Sequence, residues 1–174
     1  MRGVAMRCLV NPGMTASVIL RAQQSAVRRG HMRVAFLLRT VGMTLVGTDF
    51  VPTIEAGPGL MMPHPNGITI GVDFVVGSNV TIAQGVTAGA KHSDVPGAKF
   101  PVICDGAIIM PNAVLVGEIR IGMHAMVGAN SVVLSDVPDY AVVAGIPARK
   151  IAEREPIIPG SYEEPPYDQP TSEH

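Results

Sequence analysis

The sequence predicts a stacked β-solenoid, a mainly β chain whose short strands coil into a three-sided prism behind a short helical N-terminal segment. Three observations predict it. Between residues 70 and 138 an aliphatic side chain returns every six positions, at Ile70, Val76 and Ile82, then at Ile103, Ile109, Leu115, Ile121, Val127 and Val133. A period of six matches neither the helical period of about 3.6 nor the strand period of about 2, whereas short fixed repeats mark stacked coils. Hydrophobic residues fill 47% of the 174 positions but aromatic ones only 4%, with no Trp, so the core is built of small aliphatic side chains. Nineteen Gly and fifteen Pro suit a chain that turns a corner after every short strand.

The elements follow in order. Arg2 and Arg7 interrupt the apolar start, which lacks the h-region of a signal peptide. Asn11-Pro12-Gly13 is turn chemistry. Met14, Val18, Ala22 and Ala26 share one face of a helix ending near Gly30, and Val34, Leu37, Leu38, Val41 and Leu45 share one side of a second. These helices are expected to cap one end of the solenoid, giving a helical segment over 1–48 and a solenoid over 49–150. Ala56 and Met62 are early inward positions. The next, Ile70, comes eight later, so the coil must bulge within Pro63-His64-Pro65-Asn66-Gly67. Residues 70 to 87 make one regular coil, and 89 to 101 break the period as a loop thrown from a corner. The sixes resume at Ile103 and lapse after Val133, for about four coils in all. Residues 141 to 150 read as a last strand and turn. The tail, 151–174, holds five Pro and six acids and is expected to stay extended or pack on a neighbouring subunit.

Net charge is −1, but the first 48 residues carry seven Arg and no acid. Such a segment serves either as a solvated helix face or as an attraction for phosphates, nucleic acid or a membrane surface. No base-reading motif accompanies it, and no apolar run is long enough to span a bilayer. We therefore expect neither a nucleic-acid partner nor membrane insertion. Cys8 and Cys104 make no disulfide framework, which fits a cytoplasmic location.

The stretches Pro63-His64-Pro65-Asn66-Gly67-Ile68-Thr69-Ile70-Gly71, Gln84-Gly85-Val86-Thr87-Ala88-Gly89, Gly128-Ala129-Asn130-Ser131 and Ala144-Gly145-Ile146-Pro147-Ala148-Arg149 carry a resemblance. The chain resembles the hexapeptide-repeat acyltransferases, within them most closely the serine O-acetyltransferases, over about Asp49 to Lys150. The resemblance supplies the left-handed sense of the parallel β-helix. It also implies a homotrimer, a small-molecule hydroxyl acceptor and acetyl-CoA as donor, with no metal. Transfer from a thioester to a hydroxyl needs a base near neutral pH, and a carboxylate can orient an imidazole. His64 and Asp49 match the family's catalytic pair in spacing. Each has a plainer alternative: His64 could satisfy a backbone carbonyl, and Asp49 could cap the first coil. Gly89, Ala90, Pro111, Ala129 and Ser131 match positions lining the donor's pantetheine arm, and Arg149 is a candidate for its phosphates.

On the acceptor side the resemblance points to Pro63, Lys99 and Phe100, with His92 in the loop as a further candidate. Here the chain departs from the family. Pro63 replaces an acid that holds the serine amine, and Lys99-Phe100 replace an Arg-His pair that holds the carboxylate. These departures argue against free serine, and the acceptor is expected to be a serine-like or modified amino acid, a sugar or a metabolite precursor. Other readings are a zinc enzyme using His64, His92 and His124, and a silent assembly protein. His124 itself reads as surface.

Overall fold

The computed structural model describes residues 11–91 and 98–155. Among the described residues two antiparallel helices precede fourteen short strands. Helix α1, Pro12–Arg28, starts where Asn11 accepts the Met14 N–H at 3.1 Å and Pro12 fills the first turn, where its missing N–H costs nothing. Helix α2, Met32–Val46, stops at Gly47, whose φ of 69° ends it in a left-handed cap.

Helix α1 seals the first coil as expected. Ala16 and Leu20 join the core. Its polar side chains serve β2, Glu55–Ala56, an edge strand whose carbonyls have no earlier coil to accept from. Arg21 donates to the Ala56 and Gly57 carbonyls, and Gln24 donates to Ile54 at 3.2 Å. Arg21→Ala should therefore lower stability by about 1.5–3 kcal/mol, the worth of hydrogen bonds to a charged donor. Urea unfolding followed by circular dichroism would check this.

Helix α2 departs from the expectation. The side bearing Val34, Leu37 and Leu45 faces outward, while Ala35 and Gly42 are the buried positions. The reason is close approach. A Cβ at Gly42 would already lie 3.4 Å from Ile19 of α1 and from Thr48, so only small residues fit this contact.

The strands form three sheets, one per side of the prism. Sheet A holds β1 (Asp49–Phe50), β3 (Thr69–Ile70), β6 (Thr87–Gly89), β9 (Val114–Val116) and β12 (Val132–Val133). Sheet B holds β2, β4 (Val75–Val76), β7 (Val102–Ile103) and β10 (Arg120–Ile121). Sheet C holds β5 (Thr81–Ile82), β8 (Ile108–Ile109), β11 (Met126–Val127), β13 (Ala141–Gly145) and β14 (Ala148–Glu153).

The parallel registers record each irregularity. Regular coils pair residues 18 apart, as Thr69 with Thr87 and Val114 with Val132. Asp49 pairs with Thr69, 20 on, so the two extra residues fall at the His64 bulge. Thr87 pairs with Val114, 27 on, which measures the loop between β6 and β7. The inward positions are the hexad aliphatics and the residues four beyond them: Phe74, Val80, Val86, Ala113 and Ala125 are all 0% exposed. The stack outlasts the hexads by one level, because Val137 bridges to Ile121 and β13 pairs with β11. After β13 the chain reverses, and β14 pairs antiparallel with it.

Corners are shared between coils. Gly106, at φ 67°, leaves the space that the His124 ring of the next coil fills; a Cβ there would sit 2.3 Å from Nδ1. His124 stacks on Tyr140 at 5.3 Å between centroids and is half-buried rather than a free surface residue.

Candidate active site

The bulge that displays His64 follows from its prolines. Pro63 and Pro65 cannot donate to a ladder, so the chain leaves sheet C between Met62 and Ile68. Met62 and Pro65 are buried and pin the bulge, while Pro63 and His64 between them are exposed. His64 opens on a cleft of about 540 Å³ lined by Pro12, the last turn of α2 from Met43 to Val46, Gly47, Pro65 and Asn66. Gly47 carries two duties there. It caps α2, and its missing side chain makes room for Asn66, whose Oδ1 would lie 2.3 Å from a Cβ.

Two residues beyond Gly47 stands Asp49, its side chain 24% exposed on the outer face of β1. The sequence led us to expect this carboxylate on His64 Nδ1. The structure gives it another partner: Arg39 of α2 donates through Nε to Oδ1 at 2.5 Å and through Nη2 to Oδ2 at 2.8 Å. A charged fork matching both oxygens outcompetes a single neutral imidazole N–H. The Asp49 hydrogen bonds in turn hold the Arg39 guanidinium still more firmly protonated, against a smaller opposing effect of burial. Arg39 is the Asp49 partner that sequence reading missed. It lies outside the solenoid and belongs to no motif, and only the docking of α2 brings it to β1.

The other candidates divide between places. Pro111 and Ala129 lie on successive coils of the corner that feeds sheet A, where the Pro111 carbonyl accepts the Asn130 N–H at 2.9 Å. Ala129 is exposed there. Pro111 has no N–H and its carbonyl is in use, so hydrogen bonds to a ligand at this corner fall to its neighbours. Ser131 turns its side chain inward. It is 0% exposed, and its Oγ accepts the Gly145 N–H at 3.1 Å, so its side chain belongs to the core. The cause is its position in the hexad, the same inward place that Ala113 and Ala125 occupy. Gly89 and Ala90, both half-buried, sit where the chain leaves sheet A.

Phe100 packs at that same exit, its ring over Gly71, while Lys99 pairs with Glu118 at the surface. His64 stands where the chain enters sheet A and Phe100 where it leaves, so one chain does not bring the acceptor candidates together. Arg149 is exposed on β14 and shares a cleft of about 380 Å³ with Lys150, Ser135 and Asp136, at the far end of the prism from His64. His92 falls outside the described residues. His64 and His124, two of the three zinc candidates, lie on different coils, and no group of three His, Cys, Asp or Glu among the described residues is placed to hold a metal ion. No helix among the described residues is long and apolar enough to cross a membrane.

Residues 100–135 match the family described as bacterial transferase hexapeptide (six repeats). The chain is 40% identical over 105 residues to the serine acetyltransferase of Haemophilus influenzae, covering 60% of this chain and 39% of that one. It is 32% identical over 145 residues to the serine acetyltransferase of Bacillus licheniformis, covering 83% and 67% respectively. A solved serine acetyltransferase in complex with CoA superposes with a TM-score of 0.75 at 33% identity, over 80% of this chain and 57% of that one. Against relatives from Haemophilus influenzae, Arabidopsis thaliana and Bacillus pumilus the chain spans 39% to 66% of their length.

Proposed function

The chain belongs to the serine acetyltransferase family of left-handed β-helix transferases, and from that premise we propose that it transfers an acetyl group from acetyl-CoA to the hydroxyl of a small, serine-like acceptor. The observation that carries the reading is His64, raised on a proline-flanked bulge at the mouth of a cleft, in a chain of this family.

The chemistry follows from the residues. His64 Nε2 accepts the acceptor's hydroxyl proton as the oxygen attacks the thioester carbonyl. The tetrahedral intermediate collapses, the carbon–sulfur bond breaks, and the His64 proton passes to the departing CoA thiolate. No acyl-enzyme forms. Asp49 stabilises the imidazolium between the two transfers. The corner of Pro111 and Ala129 suits the pantetheine arm, with contacts made by the backbone because Ser131 faces inward. Arg149 and Lys150 offer positive charge to the CoA phosphates.

A trimer supports this chemistry. His64 and Phe100 stand at opposite ends of the strands of sheet A, so packing prisms side by side would set the His64 of one chain against the loop of the next. A sugar acceptor is the second reading. It is favoured by Lys99, whose charge Glu118 already engages, and by the uncharged ring of Phe100. Thiol release from acetyl-CoA in the presence of serine, homoserine and a sugar panel separates the two. Absence of release with every acceptor, together with failure to bind CoA, would leave an assembly protein.

A further inference from the structure

We infer that Arg39 is a positioning residue of the active site: its guanidinium fork fixes the Asp49 carboxylate and tempers the pull of that carboxylate on the proton of His64. The inference rests on the reading of His64 as base and Asp49 as its electrostatic partner.

The geometry is specific. Two nitrogens of Arg39 bond two different oxygens of Asp49, so the carboxylate cannot rotate freely. Both side chains are only about a quarter exposed, at 28% and 24%, so solvent screens the pair incompletely. The backbone of Asp49 is tied to the segment that follows the bulge, through Asp49 N–H to Ile68 O and Gly67 N–H to Gly47 O, each at 2.8 Å. Gly47 lines the His64 cleft itself. A carboxylate has lone pairs beyond the two that the fork occupies, so Asp49 can still accept from an imidazole brought against it.

The elements around the cleft bring few other charges. Its lining residues from Pro12, Met43–Val46, Pro65 and Asn66 are uncharged. On α1, Arg21 is committed to the Ala56 and Gly57 carbonyls, and Arg28 lies at the far end of the helix beside another cleft. On α2, Arg33 sits in the first turn, at the opposite end from the cleft. That leaves the Asp49–Arg39 pair, tied to the same bulge through the Asp49 and Gly47 backbone, as the charges we assign to His64.

The sign is determined. A neighbouring carboxylate favours the charged imidazolium, and a neighbouring guanidinium opposes it. Removing Arg39 while Asp49 stays raises the proton affinity of His64. A base acts only when unprotonated, so the acid limb of kcat/KM must move to higher pH. Arg39→Gln should move that limb up by about one pH unit and reduce kcat more than it alters KM. Arg39→Lys, which keeps the charge and loses the fork, should restore the limb but not the full rate.

The deciding measurement is a pH profile of the full chain together with an NMR titration of labelled histidine, the His64 signal being assigned by its loss in His64→Asn. Coincident limbs and coincident His64 titrations in the wild type and Arg39→Gln would overturn the inference and leave Arg39 a tether for α2. Should Arg39→Gln fail to fold, Asp49→Asn gives the complementary test: His64 must titrate lower there, and an unchanged titration is equally fatal. Full turnover by His64→Asn would instead remove the base reading, while the NMR comparison would still decide whether Arg39 acts on His64.

Discussion

His64→Ala is expected to cut turnover by roughly two to four orders of magnitude, the usual worth of a positioned general base, while leaving thermal stability unchanged. Both halves follow from the bulge. His64 is exposed and contributes no packing, because buried Met62 and Pro65 anchor the turn on either side. Its removal therefore subtracts chemistry and nothing else. CoA thiol release at saturating acceptor, beside a melting curve of the same preparation, measures the two effects separately. Near-normal turnover in a folded variant would end the acid–base account, and a large loss of melting temperature would show that the bulge is structural.

The second large effect is on stability. Ile109→Ala should cost about 2–5 kcal/mol, the transfer free energy of the lost atoms plus the cavity left behind. Ile109 is 0% exposed on β8, between β5 and β11. Its backbone is held from both sides, since Ile109 pairs with Ile82 on one side and with Val127 on the other. Neighbouring coils cannot slide in to fill the void without breaking ladder bonds, so the cost belongs in the upper part of that range. Chemical unfolding, read as the shift in midpoint at constant slope, tests it. A loss below about 1 kcal/mol would mean that the coil relaxes more easily than close packing allows.

The solenoid was legible because its periodicity is local and covalent. Each inward aliphatic sits at a fixed spacing from the last, and the two departures from that spacing were visible at His64 and after Gly89. The registers of 20 and 27 residues measure those same departures. The extra level at Val137 was not legible, because hydrogen bonding there continues after the aliphatic signal has lapsed. The orientation of α2 was not legible either. A hydrophobic pattern says which side of a helix is greasy, whereas Ala35 and Gly42 are buried because two backbones approach closely. At the candidate site, His64 and Asp49 came from the family resemblance, whereas the partner of Asp49 had no signal in the sequence. Arg39 precedes it by ten residues across a helix end, and no short-range rule couples an arginine on a helix to a carboxylate on the following strand.

The reversal at β14 has a consequence for the particle as a whole. A stack of parallel coils offers at each end the same template that built it, and a second molecule could add there without limit, as filaments do. At one end α1 occupies that template with Arg21 and Gln24. At the other, β14 runs the wrong way and carries exposed Arg149, Lys150 and Glu153 outward. An incoming coil would meet mismatched polarity and a rail of charge. The architecture that makes growth easy therefore also carries its own stops at both described ends of the stack.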